Sequence, residues 1–431
     1  MILIIIGLVI YSSLVIYRPH WGIYLTLLLL PSYQIRFDIF GIPTTFLEWL
    51  ILILAGVTLA KIFIDKNFRD IVRERLGLLW KQNKNLLMLA ALFFLAATIS
   101  VFVSPEFGRG LGLWKAYFAE AMLFGLLFYL LVDSKEKLAG VFSSMGWLVI
   151  GLTLFGLFQF FTLYRLPPAW WGPGLEPRRV VSLFTYPNAV SLLITPILAV
   201  FAAMLALREK LPIQFISRTF IIVTLALGMV LLVLTFSRGA WVGFACTIIL
   251  VALFTSKRKL VISLLVAGTI LILIIPATRG RLLPIFIGSD PAGQERILLY
   301  KGAWEIIKDS PITGAGLYGF RGAYEQVRQS EGDEILNYPH NFFLNFWVET
   351  GLLGLLSILL ILALLTKRGV VLYRQSREAQ AIILAVFAGL VVILVHGQFD
   401  APYFKNDLAV LFWTIIAIIP VFATLPAVKQ T

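Results

Sequence analysis

One cysteine in 431 residues, Cys246, leaves the chain unable to form an internal disulfide or a cysteine-based metal site. Histidine is almost as scarce: His20, His340 and His396 are the only three. No H-E-x-x-H pair, Walker loop or Gly-x-Ser-x-Gly elbow occurs, which removes the zinc-peptidase, P-loop and serine-hydrolase readings. The polar segments hold no tight carboxylate cluster of the kind a hard divalent cation demands. Neither an internal repeat nor a low-complexity segment is found. Charge is the largest deficit. Only 14% of residues are charged, against about a quarter in a soluble domain, and a water-soluble chain of this length could not hide the apolar remainder. The charge that exists is lopsided, with a net value of +13. Its distribution argues against nucleic acid, because the basic residues sit in short connections rather than on one face.

What fills the sequence is apolar: 60% of residues are hydrophobic and the mean hydropathy is +0.92. Met1–Tyr17, Phe46–Ile64, Leu86–Val103, Leu138–Leu163 and Phe342–Leu365 are blocks of the length, about 20 residues, that crosses the hydrocarbon layer. Lipid offers no partner to a backbone amide, so such blocks must be helical. The expectation is an all-α, polytopic transmembrane bundle of about 12–13 spans, a single integral membrane domain over 1–431. Trp21–Ile42 reads as one span or a re-entrant pair, broken by Pro31 and Pro43. The first block has no basic residue before it and no small-x-small site after it, so it reads as a retained span rather than a signal peptide.

Basic residues fix the orientation. Lys66, Arg69, Arg73, Arg75, Lys81 and Lys84 fill one connection; Arg208, Lys210 and Arg218 another; Lys257, Arg258 and Lys259 a third; Lys367, Arg368, Arg374 and Arg377 a fourth. The positive-inside rule puts these in the cytoplasm. Ser104–Gly110, Tyr164–Tyr186, the stretch from Pro276 to His340, and His396–Lys405 then face outward, with Ser289 and Ser330 outside, Ser256 inside and the C-terminus cytoplasmic. Two outer segments are unusual. Tyr164–Asn188 is rich in Trp and Pro, as suits a loop at headgroup level. Ala277–His340 is the only long polar segment, and long loops are uncommon unless functional. It carries a helix of its own: Ser289-Asp290-Pro291 is a start signal with Asp290 as N-cap, Ile297, Tyr300, Trp304 and Ile307 recur at helical spacing, and Pro311 ends it. An amphipathic helix lying on the outer membrane surface fits.

Ionisable residues at span edges are costly and point to function. Arg238, in Phe236-Ser237-Arg238-Gly239-Ala240-Trp241, lies at the outer end of a tight turn; it either snorkels to the interface or offers its fork to phosphate oxygens. Arg296 opens the loop helix and either pairs with Glu295 or Asp290 or joins Arg238. Arg178 and Arg179 sit in the Trp/Pro loop, where headgroups are the alternative partner. Lys115 and Glu120 lie within one span and either pair with other spans or face a cavity. Nothing supports a role for His20. His396, followed by Gln398 and Asp400, reads as structural hydrogen bonding. His340 follows Pro339 where the long loop enters a span, on the same side as the arginines, and an imidazole there can serve as a base. Arginines plus one histidine suit a phosphorylated leaving group and an acceptor that must lose a proton.

These residues carry a family resemblance. Glu295-Arg296…Tyr300…Ala303-Trp304…Asp309-Ser310-Pro311-Ile312-Thr313-Gly314-Ala315-Gly316…Phe320 resembles the outer loop of the O-antigen ligase and O-antigen polymerase superfamily. Tyr338-Pro339-His340-Asn341-Phe342-Phe343-Leu344…Trp347-Val348-Glu349-Thr350-Gly351-Leu352-Leu353-Gly354 is similar to its histidine motif, Ser237-Arg238-Gly239-Ala240 to its intramembrane arginine motif, and Phe184-Thr185-Tyr186-Pro187-Asn188 to a further motif. The matches run in family order over roughly Arg178–Leu356. The resemblance implies a GT-C-like glycosyltransferase of the bacterial inner membrane, without cofactor or metal, its site on the outer face. The implied donor is a glycan on undecaprenyl pyrophosphate; the acceptor is another glycan, a lipid or a protein. Arg238 and Arg296 match the arginines that would hold pyrophosphate, and His340 the histidine that would activate the acceptor hydroxyl. Arg178, Arg179, Asn188, Tyr338, Asn341 and Lys115 are the expected substrate contacts. A transporter or flippase of lipid-linked glycan is the rival reading; it would lead one to expect inverted repeats and broken midplane helices, which the sequence does not display.

Overall fold

Backbone amides in an apolar medium must be satisfied within their own segment, and the apolar blocks duly fold as helices. The structure, a computed structural model, describes residues 2–39, 41–172, 177–212, 215–256, 258–274, 276, 278–280, 290–328 and 334–425. Ser289 and Ser330, and with them 281–289 and 329–333 of the long loop, lie outside the described residues. Among those described, nine helices are long and apolar enough to cross a membrane, and three shorter apolar helices accompany them. Side chains of neighbouring residues start many of them: Thr45, Asp65, Ser134, Ser217, Asn341 and Ser376 each accept a hydrogen bond from an amide of the first turn.

Pro187–Ala206, Arg377–His396 and Asn406–Thr424 form the centre, being buried along most of their length. Pro187–Ala206 packs on Arg377–His396, which also carries Arg238–Phe254; Lys66–Val103 lies along Phe342–Tyr373, and Asn406–Thr424 against the Phe107–Leu131 helix. Peripheral helices expose large apolar side chains, among them Phe63, Phe102, Phe161 and Leu253, as a lipid-facing surface requires.

The two ends of the bundle differ in chemistry. At one end Lys135 pairs with Glu378, Lys210 donates to Gln380, and Arg368 to Asn83. There Arg75 caps the Phe107–Leu131 helix by donating to the carbonyls of Tyr129 and Val132. The basic connections thus gather at one end. The stretch from Lys66 to Lys84 is no loop, however, but the first part of a 38-residue helix, Lys66–Val103, with one non-helical residue at Asn83. Val72, Arg75 and Leu79 on this first part are buried. Among the described residues, no helix within Trp21–Ile42 is long enough to cross a membrane by itself. Pro19–Leu28 continues through the tight turn Leu30–Gln34. Tyr24 bonds the Lys137 carbonyl at the basic end, and Gln34 the Leu183 carbonyl at the other, 2.9 and 2.7 Å away. A short antiparallel hairpin, Arg36–Ile39 with Ile42–Thr45, then leads into Phe46–Ile64.

The long loop folds onto the end opposite the basic residues. Its helix spans Pro291–Asp309 and a second, Phe320–Val327, follows. The buried face of the first is Leu299, Ala303, Ile306 and Ile307, packed on Phe320, Tyr324 and Val348. Of the face expected from spacing, Ile307 is buried in this row and Tyr300 packs beside it, whereas Ile297 and Trp304 are exposed: two overlapping apolar rows exist on this helix, and the second helix covers one of them. Asp290 makes no capping bond from its side chain, a second correction taken up below. Between the two helices, 310–316 knots into the Phe342–Tyr373 span, which is non-helical at Gly351 (φ 69°, ψ −179°). Leu352 donates to the Ile312 carbonyl and Ala315 to that of Val348, at 3.0 and 2.8 Å. A Cβ on Gly314 would stand 2.3 Å from the Val348 oxygen. Glu349, fully buried, completes the knot by accepting from the amides of Tyr318 and Phe320.

Candidate functional site

Three chain segments meet where the long loop enters the bundle: the turn before Arg238–Phe254, the residues before Phe342, and the connection 397–405 after Arg377–His396. His340 is held in the left-handed region at φ 51°, a conformation costing roughly 1–3 kcal/mol for a residue with a side chain. The turn aims its imidazole at that connection. Nδ1 lies 3.0 Å from Oδ1 of Asp400, and with the proton on Nδ1 the free lone pair is that of Nε2. Asp400 is buried and also accepts from its neighbour's amide, Ala401, and from Asn188 Nδ2 at 3.3 Å. Burial alone would raise its carboxyl. The hydrogen bond and charge of His340, with His396 and the Ala401 amide, outweigh that and hold it well below the usual carboxylate range.

The hydrogen bonding continues outward from Asp400. Arg179 donates to Oδ1 of Asn188 at 3.2 Å and to the Thr235 carbonyl at 2.9 Å, with its guanidinium 5.0 Å from the centre of the Trp170 ring. Arg296 donates from Nε to the Phe399 carbonyl at 2.8 Å and from Nη1 to that of Ala292. Its expected alternative partner, Glu295, bonds Glu334 instead. Burial and that second carboxyl raise Glu295 above the ordinary value, against the opposing charges of Arg296 and His340. Tyr300 donates to the carbonyl of Gln398 and, at 3.3 Å, to that of His340. The Phe342 amide reaches the Gly397 carbonyl at 2.6 Å. The connection 397–400 is therefore the hub that ties the outer helix, the histidine turn and the central helices together.

Arg238 sits at the start of its span, and a Cβ on the next residue, Gly239, would come within 2.8 Å of the buried His396 ring. This close approach seats the arginine against the hub. Its Nη1 and Nη2 each donate to one oxygen of Asp290, both at 2.9 Å, so the carboxylate expected to cap the outer helix occupies the arginine fork instead. At the far end of the hub, Lys405 lies 4.6–5.7 Å from the ring centres of Phe184, Tyr33 and Tyr186 and 3.6 Å from Asp407. Burial lowers its pKa against the pull of Asp407 and Asp400. That cage accounts for the aromatic residues of Phe184-Thr185-Tyr186-Pro187-Asn188, whose Asn188 serves Asp400.

Of the residues singled out from sequence, His340, Arg238, Arg296, Arg179 and Asn188 come together around the hub. Others do not. Arg178 donates to the Phe160 carbonyl at 2.5 Å and lies 5.4 Å from that ring, so it anchors the Trp/Pro loop to the end of Lys135–Thr162. Lys115 pairs with Glu48 at 2.8 Å within the bundle. Asn341 does reach the hub: its oxygen caps Phe342–Tyr373 through the amides of Phe343 and Leu344, and its nitrogen donates to Gln398. Tyr338 shares a hydrogen bond with Tyr117 and packs on Phe404. Asp400 and Gln398, read from sequence only as structural neighbours of His396, Asp290, read as a cap, and Lys405, not singled out, all belong to the site. The available signal was a short, polar connection, His396-Gly397-Gln398-Phe399-Asp400, between two strongly apolar spans. Among the described residues no three His, Cys, Asp or Glu converge as a metal site would require.

An all-α bundle with membrane-length helices, and a polar site of arginines and a His–Asp pair at one end, defines a polytopic membrane protein with a chemically equipped mouth. Residues 220–359 match the family model described as O-antigen ligase, and that region is similar to the superfamily whose motifs the sequence resembles. The match contains Arg238, Arg296 and His340; Arg179, Asn188 and Asp400 lie beyond its ends. No curated protein matches the chain.

Proposed function

We propose that this protein transfers a glycan from undecaprenyl pyrophosphate to an acceptor hydroxyl, at the outer face of a bacterial inner membrane. The observation that carries the proposal is the His340–Asp400 pair, at 3.0 Å, next to Arg238 and Arg296. Asp400 fixes the imidazole so that Nε2 can take the proton from the acceptor O–H, the orienting role a buried aspartate plays beside a catalytic histidine. The freed oxygen forms a bond to the anomeric carbon as the carbon–oxygen bond to pyrophosphate breaks. The bonding pair departs with the pyrophosphate. Arg238 and Arg296 offset that charge, as preorganised donors do for a developing anion. One displacement with one base inverts the anomeric centre. The arginines supply the positive charge that a metal would otherwise bring, so turnover should persist in excess chelator.

The test is a defined lipid-linked glycan supplied to the protein in bilayer discs, with products resolved by size. A ladder of lengths identifies a polymerase; a single transfer to a different acceptor identifies a ligase or protein glycosyltransferase. Translocation of the intact lipid-linked glycan with no new glycosidic bond would instead favour the flippase reading. Turnover abolished by chelator and restored by magnesium or manganese would remove the arginines from their place as sole charge carriers.

A further inference from the structure

The fork of Arg238 is already filled by the protein itself. Both terminal nitrogens donate to the two oxygens of Asp290 at 2.9 Å, the paired geometry that a guanidinium also presents to two phosphate oxygens. The two side chains are only 18% and 16% exposed, so the pair is more than a screened surface contact. Asp290 is not held there by a competing duty. Its side chain makes no capping bond to the Pro291–Asp309 helix, although it stands at the N-cap position. A carboxylate that could have capped its own helix instead reaches across to another element, 52 residues away in sequence.

We propose that Asp290 is an internal competitor for the donor's pyrophosphate: it occupies the Arg238 fork in the empty protein, is displaced when donor binds, and returns as the polyprenyl pyrophosphate product leaves. This rests on the donor-binding role proposed for Arg238. The chemistry matches, since carboxylate and phosphate offer the fork the same pair of anionic oxygens. A site that is open only part of the time binds with an apparent affinity reduced by that fraction. Asp290 therefore weakens donor and product alike. For an enzyme whose leaving group keeps all the charge that the arginines recognise, such weakening keeps the product from remaining bound, and tight ground-state binding gives no rate advantage once the site is filled.

The experiment measures binding of undecaprenyl pyrophosphate, the leaving group itself, to purified protein in bilayer discs. Asp290→Asn should tighten it about 3- to 10-fold, lower the donor KM and strengthen product inhibition by a similar factor. Glu305→Gln, which removes one negative charge from the exposed side of the same helix, should change none of these. Unchanged or weaker binding by Asp290→Asn would make Asp290 a support for Arg238 and overturn the proposal, as would equal tightening by Glu305→Gln, which would signify long-range charge. Arg238→Ala separates the two levels. If it leaves probe binding intact, the donor reading itself fails; if it weakens binding while Asp290→Asn does not tighten it, the competitor proposal alone fails. A measurement on the wild type guards against a misfolded variant. Adding the probe should alter hydrogen exchange at the first-turn amides of Pro291–Asp309, where the Gln294 amide bonds the Asp290 carbonyl, as the released carboxylate leaves the arginine; unchanged exchange there would also overturn the proposal.

Discussion

His340 and Asp400 each contribute something the other cannot. The histidine alone is a base in a strained turn; the aspartate supplies the fixed tautomer. On the proposed mechanism His340→Ala should lower turnover by about 10²–10⁴, with undecaprenyl pyrophosphate binding nearly intact, because the loss falls on the chemical step. Asp400→Asn should bring a loss of similar order by favouring the wrong tautomer. The double variant should be little worse than either, since residues acting as a unit are not additive. Single-turnover transfer beside a binding assay reads both. Additive losses would separate the two residues. Asp400 also carries a stability signature. A carboxyl held below its unfolded value of 3.8 stabilises the fold fully above that value and loses the contribution as pH falls through its folded one. The difference in melting temperature between wild type and Asp400→Asn should therefore close as pH falls below 3.8.

Elements here are shaped by where the backbone must be exposed. Hydropathy reads Phe342–Leu365 as one span, yet the helix there, Phe342–Tyr373, opens at Gly351 so that its amides and carbonyls can bind the 310–316 knot. The residues Pro311-Ile312-Thr313-Gly314-Ala315-Gly316 thereby gain a structural explanation: their backbone docks in the break, and the knot positions both the outer helix and the histidine turn. Gly351 takes a φ/ψ pair near (69°, −179°) that is essentially closed to other residues. Gly351→Ala should cost roughly 1–3 kcal/mol, lower the melting temperature, and loosen the outer helix enough that protease cuts within Pro291–Asp309 more readily. An unchanged melting temperature and cleavage pattern would show that the break tolerates a side chain. The outer helix teaches a related point. Its start at Pro291 and its end before Pro311 were legible because proline acts through its own ring. Which of its two apolar rows is buried was not, because Phe320–Val327 makes that choice from another part of the chain.

At the scale of the whole molecule, the basic connections and the site lie at opposite ends of the bundle, in agreement with the expected sorting. On the function proposed above, the positive-inside rule would place the site outside. In a Cys246→Ala background, Lys308→Cys should react with a membrane-impermeant thiol reagent added to intact cells, and Ser256→Cys should react only after the membrane is opened. The reverse pattern would turn His340 and the arginines to the cytoplasm and end the proposed reaction, whose donor would be on the wrong side.

What the sequence determined by itself were the properties that act over short stretches or through composition: helical spans, the break at Pro31, the gathering of the basic connections at one end, and a motif order that resembles that of the superfamily. Hydropathy and proline geometry are local, so they can be read locally. What only the tertiary structure decided were the partnerships. His340 meets Asp400 across 60 residues, Arg238 meets Asp290 across 52, and Asn188 meets Asp400 across 212. No periodicity encodes such pairs. They follow from how Pro187–Ala206, Arg238–Phe254 and Arg377–His396 pack, and that packing brings the five-residue connection ending at Asp400 under the histidine. It also assigns Asn341 to capping and Arg178 to anchoring a loop, although each is the chain neighbour of a site residue, His340 and Arg179. A motif reports which residues occur together, whereas the carbonyls and carboxylates nearest in space decide what each side chain is free to do.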